Sequence, residues 1–167
     1  YHPVFFNDGN RILFGSYRMK SELGEPGIFI YSLKDKSIKH TGFYGKYARP
    51  SFSGKSIVFS SKNDSDVEQI YVATLDTTQA NLKGGAQSQL VRLTHGKYYH
   101  GHPTFTHDDK RIVFVSRKDQ ERSFPKAQES DIAGTNEVYV MDIDGKNMKR
   151  LSVSEGVAWH PEIYTTH

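Results

Sequence analysis

Apolar residues along this chain gather in short runs, separated by clusters of Gly, Asn, Asp, Ser and Lys. Runs of that length, dominated by β-branched and aromatic residues, predict strands rather than helices. Three runs carry an Ile-x-Phe core: Ile12-Leu13-Phe14, Ile57-Val58-Phe59 and Ile112-Val113-Phe114. Each is preceded by Pro-x-Phe, at Pro3-Val4-Phe5, Pro50-Ser51-Phe52 and Pro103-Thr104-Phe105. Each is followed by a third run, Ile28 to Tyr31, Ile70 to Ala73 and Val138 to Met141, and by a fourth, Ile38 to Thr41, Leu90 to Thr94 and Met148 to Ser152. The pattern therefore predicts four strands per unit, repeated three times. The anchor aromatics Phe5, Phe52, Phe105 and Trp159 stand 47, 53 and 54 residues apart, a period suited to propeller blades with loop insertions.

In Arg111-Ile112-Val113-Phe114-Val115-Ser116 both alternating faces are apolar, so this strand has to be covered on both sides, as between two neighbouring blades. The connections Asn7-Asp8-Gly9-Asn10, Ser53-Gly54-Lys55 and His107-Asp108-Asp109-Lys110 have tight-turn compositions, and Asp144-Gly145 supplies the positive φ of a hairpin. The reading is an all-β chain forming a β-propeller portion: three four-stranded antiparallel blades plus the first strand of a fourth. Its boundaries are 1–43, 47–95 and 100–153 for the blades and 156–164 for the start of the fourth, within a single segment spanning 1–167. In this alignment the second unit shortens its first turn to Ser53-Gly54-Lys55, and the fourth reads Val157-Ala158-Trp159-His160-Pro161-Glu162 and then stops.

Pro3 to Phe14 and Pro103 to Phe114 resemble the "PaFSPDGkrIaF" repeat of TolB-type β-propellers, and Glu137 to Gly145, ending in Arg150-Leu151-Ser152, is similar to that repeat's second half. The resemblance covers almost the whole chain. It implies a blade architecture and leaves activity open, since one fold hosts many functions. It also implies a bacterial periplasmic or cell-surface setting and a protein partner of the cell envelope. Two enzyme alternatives accompany it: part of an oligogalacturonate-lyase-like polysaccharide lyase, or the gating propeller of a prolyl-oligopeptidase-like hydrolase. Three blades and one strand do not close a ring, so further blades of a longer, excised or processed chain, or self-association of two copies, are expected to cover the open faces.

Composition then narrows the chemistry. Of 167 residues 36% are hydrophobic, and 22 Lys and Arg against 19 Asp and Glu give a net charge of only +3, which argues against nucleic acid as partner. The absence of cysteine removes disulfides, thiol nucleophiles and Cys-ligated zinc. No apolar run approaches the roughly 20 residues of a membrane-spanning helix, so no membrane insertion is expected. Gly-x-Ser-x-Gly and phosphate-binding loop motifs are missing, so no catalytic residue is assigned.

In a propeller the loops after the second and fourth strands of each blade share the mouth of the central channel. These are Tyr17 to Gly27, Tyr44 to Arg49, Lys62 to Gln69, His95 to His102 and the long Arg117 to Asn136 insertion, the leading candidate for partner contact. On the Pro-x-Phe alignment the residues before each proline, His2, Arg49 and His102, occupy equivalent rim positions. With Tyr47, Tyr99 and His100 they form the expected ligand-binding set, in which Arg supplies a planar fork for carboxylate and Tyr and His supply stacking surfaces. The ligand expected there is a protein partner or an anionic or carbohydrate group. His100 and His102 share a strand face and invite a metal, but a cation at Arg49 on the same rim opposes one, so neither metal nor cofactor is expected. Lys62 to Glu68 spaces its acids like a calcium loop yet lacks that loop's central Gly and terminal bidentate Glu, and is read as a solvated loop.

Overall fold

The computed structural model describes residues 2–75, 90–118, 136–152 and 161. Twelve strands form three four-stranded antiparallel sheets, with no helix among the described residues. The first contains β1 (Val4–Phe5), β2 (Arg11–Lys20), β3 (Pro26–Ser32) and β4 (Ile38–Tyr44). The second contains β5 (Lys46–Pro50), β6 (Ser56–Ser61), β7 (Gln69–Thr74) and β8 (Leu90–Arg92). The third contains β9 (His100–Phe105), β10 (Arg111–Ser116), β11 (Glu137–Asp142) and β12 (Lys149–Arg150). Strand order in space follows order in sequence, so each unit is a meander. The expected first strand of a fourth blade, with Trp159 and His160, lies outside the described residues apart from Pro161.

The sheets stack face to face through two apolar layers. Leu13 and Ile28 of the first sheet meet Ile57, Phe59, Tyr71 and Ala73 of the second, and all are essentially buried. On its other side the second sheet presents Val58, Ile70 and Val72 to Ile112, Phe114, Tyr139 and Met141 of the third. Adjacent residues of β6 thus enter different layers, which is why Ile57 to Ser61 are buried without alternation. Burying each large side chain contributes on the order of 1.5 to 3 kcal/mol, so these two layers hold the blades together. β5 packs against β1 and β2 on one side and β9 on the other, which sets the three inner strands side by side around the channel.

Register corrects the alignment of the middle repeat. Phe5 pairs with Ile12 and Phe105 with Ile112, whereas the partner of Ile57 is Pro50, not Phe52. The turn is not shortened: Ser51 N donates to Ser56 O and Gly54 N to Ser51 O, as Phe6 and Gly9 do in the first unit and Thr106 and Asp109 in the third. Gly9, Gly54 and Asp109 share positive φ values of 68°, 69° and 56°. Ser51 Oγ accepts from Ser56 N at 3.1 Å just as Thr106 Oγ1 accepts from Arg111 N at 3.1 Å. The middle Pro-x-Phe is therefore a chance match displaced by two residues, and everything before Ile57 moves with it.

Candidate site at the channel mouth

Shifted by two, the position equivalent to His2 and His102 is Tyr47, while Arg49 becomes equivalent to Val4 and Thr104. Backbone geometry agrees: His2, Tyr47 and His102 have φ of 47°, 55° and 50°. Left-handed backbone is uncommon outside Gly and costs roughly 1 to 2 kcal/mol per residue, so its recurrence at one position in three blades marks a built feature. The conformation tips each ring out of the strand and toward its neighbours. His2 and Tyr47 meet edge to face with centroids 4.9 Å apart, and Tyr47 stacks on His102 at 3.6 Å and 29°. One aromatic per blade thus forms a continuous row across the three inner strands at the mouth. Tyr47 stands between the imidazoles, which separates them as ligands for a shared metal; among the described residues no group of three or more His, Asp or Glu is placed to hold one.

His100 and His102 share a strand but not a neighbourhood, because the left-handed turn at His102 breaks the alternation. His100 lies beneath the mouth, 2% exposed, with its ring edge-on to Phe114 at 5.7 Å. Its backbone N donates to Glu68 O at 3.0 Å, while its Nδ1 is buried without a hydrogen bond. Burial, reinforced by the positive charges of Lys118 and Arg92, pushes the imidazole down to about 4, so it is neutral at physiological pH. Tyr99 folds back over Gly101, where any Cβ would overlap its ring, and carries the Arg117 guanidinium 4.9 Å from its ring centre. Arg117 in turn donates to Asn136 Oδ1 at 3.0 Å, tying the two ends of the long insertion together. The insertion between them falls outside the described residues.

Sequence reasoning missed one group on this face. Lys46, at the start of β5, binds Glu68 Oε1 at 2.6 Å and approaches Glu25 Oε1 at 4.0 Å. Glu25 and Glu68 come from different blades and are 3% and 8% exposed. Burial raises the Glu25 carboxyl, the charge of Glu68 adds to this, and Lys46 opposes it; Glu25 Oε2 is buried without a hydrogen bond. Only the position of Glu68, ending the acid-spaced loop, hinted at this group in the sequence. The other acids of that loop do not converge with it: Asp64 accepts from Tyr71 and pairs with Arg92 Nη1 at 3.0 Å.

Arg49 is not in the row. It lies near the far end of β5, paired with Val58, in a cavity lined by turn residues at the opposite end of the channel. Of the six residues expected to bind ligand, the structure brings together His2, Tyr47 and His102, sets Tyr99 and His100 apart with ring partners of their own, and sends Arg49 elsewhere.

No protein-family model and no curated protein matches the sequence. Solved structures do match in fold. TolB from Acinetobacter baumannii superposes with a TM-score of 0.63 at 19% identity, over 94% of this chain and 33% of its own. A putative TolB from Agrobacterium tumefaciens gives 0.60 at 17% identity, over 87% of this chain and 46% of its own. The acylaminoacyl peptidase of Pyrococcus horikoshii gives 0.55 at 20% identity, over 90% and 24%. The chain spans between a third and a half of the TolB chains it matches. Stacked meanders, adjacent inner strands and these superpositions lead to one conclusion: the chain forms three blades of a TolB-like β-propeller.

Proposed function

We propose that the chain is a binding module that recognises a protein partner, or an anionic or carbohydrate group, at the channel mouth. The observation that carries this reading is the row His2, Tyr47 and His102, one ring per blade, each held in left-handed backbone. Stiff blades fix the row, so little conformational entropy is lost when a ligand stacks on it. The likeness to TolB supports a bacterial periplasmic or cell-surface setting and an envelope protein as partner.

Photo-cross-linking in an extract of the source organism tests this. A cross-linker at Lys97, in the loop leading to β9, is expected to give a discrete adduct that Tyr47→Gly abolishes. One at Lys146, in the β11–β12 connection on the opposite face, is expected to give none. An adduct that forms equally from Lys146, or persists in Tyr47→Gly, contradicts the proposal. A second reading rests on the peptidases among the structural neighbours: the blades serve as the propeller portion of a larger hydrolase. Hydrolysis of acylaminoacyl peptides by the intact gene product would favour it.

A further inference from the structure

The other end of the channel carries a separate feature. A cavity of about 320 Å³ opens there, walled by Phe5, Phe52, Phe105 and His107, with Arg49 and Thr104 on the inner strands. Arg49 is half-buried and is the only charged side chain of this wall among the described residues. It takes part in no salt bridge or hydrogen bond of the described structure. The acids nearby in the chain fold are committed elsewhere: Asp8 to Arg11 at 2.6 Å, Asp108 to Thr106 Oγ1 and Lys110 N at 2.5 and 3.1 Å, and Asp109 to the backbone N of Phe52 and Ser53 at 2.6 and 2.8 Å. The equivalent positions in the flanking blades, Val4 and Thr104, are uncharged, so the blade repeat does not call for a cation here. Phe5 and Phe52 nevertheless stay 58% and 48% exposed around it.

A cation partly withdrawn from water gains from a charge-assisted partner, and a guanidinium presents a planar fork matched to carboxylate. Aromatic walls reward an apolar body attached to that carboxylate, and the volume lies at the lower end of the range for small-ligand pockets. We infer that Arg49 anchors a second binding site, for a carboxylate borne on a small apolar or aromatic group, as in a peptide C-terminus or an arylalkanoic acid. This site does not depend on the reading of the mouth, and either can fail alone.

Titration of the intact chain with 3-phenylpropionate, with its amide and with N-acetyl-alanyl-phenylalanine tests the inference, read through the Arg49 Nε–H resonance and the rings of Phe52 and Phe105. The acid is expected to shift these signals and the amide to bind at least 10-fold more weakly. Arg49→Gln is expected to weaken the acid at least 10-fold, while Arg49→Lys, which keeps charge without the fork, retains part of the affinity. Thermal unfolding of both variants should stay within about two degrees of the parent, as for a side chain with no partner to lose. Binding of both acids assigns small carboxylates in general, and binding of the peptide alone assigns chain termini. Equal affinity for acid and amide, no binding of either acid, or affinity unchanged in Arg49→Gln overturns the proposal.

Discussion

The two ends of the inner strands use the same repeat in opposite ways. At the turn end the repeat spends its polar groups on architecture: three turns close with the same pair of backbone hydrogen bonds, Asp109 clasps the neighbouring blade through two N–H groups, and Arg11 lies 4.1 Å over Phe6 and against Gly54. At the mouth the repeat instead holds three residues in left-handed backbone, buries a neutral imidazole, and leaves a carboxylate oxygen of Glu25 without a hydrogen bond. A blade is latched where its turns are tight and chemically equipped where its loops meet. Arg49 is the exception at the turn end, a half-buried cation facing an aromatic cavity.

The largest way to break this contrast is acid. The folded His100 titrates near 4 against an ordinary 6.5, so the unfolded chain takes up a proton that the folded chain refuses. Its contribution is present above pH 6.5 and is lost as pH falls toward 4, amounting to about 3 kcal/mol over that window. Urea unfolding at stepped pH measures it, and His100→Gln should flatten that part of the profile.

The turn end should respond to Asp109→Ala with a loss of about 2 kcal/mol, the scale of hydrogen bonds to a charged acceptor. Asp109→Gly should lose less, because glycine accepts the φ of 56° without strain. Tyr47→Gly should cost about 1 kcal/mol, since the two ring contacts disappear while the backbone strain is relieved; recognition at the mouth should suffer far more than stability. The smallest effect belongs to Glu25→Gln. A carboxyl raised by burial favours the fold below its ordinary range and withdraws that support as pH rises through its folded value. The amide variant should therefore gain slightly on the parent at neutral pH and lose that gain in acid, a difference resolved by thermal unfolding at pH 4 and 7.

Blade structure was legible because burial on both faces writes itself into strands such as Ile112 to Val115, and because Asp8-Gly9 and Asp108-Asp109 announce their turns. The middle repeat misled because Pro50 and Phe52 reproduce a motif two residues out of register, with Ser53-Gly54 standing where the flanking units have an acid at the first position. Only backbone pairing and the recurring positive φ reveal that Tyr47 is the counterpart of His2 and His102. A left-handed Tyr leaves no mark in composition, so the row was half visible, through its two His-Pro pairs. The Glu25, Lys46 and Glu68 group showed only through Glu68 at the end of its acid-spaced loop, because it joins residues from two blades.

One ring per blade lines the mouth, and Arg49 belongs to the other end. Nuclear Overhauser contacts in the intact chain measure this directly. The account predicts cross-peaks from the Tyr47 ring to the imidazoles of both His2 and His102, and from the Arg49 side chain to the rings of Phe52 or Phe105. Cross-peaks joining the Arg49 side chain to those imidazoles, with none from Tyr47, would contradict it.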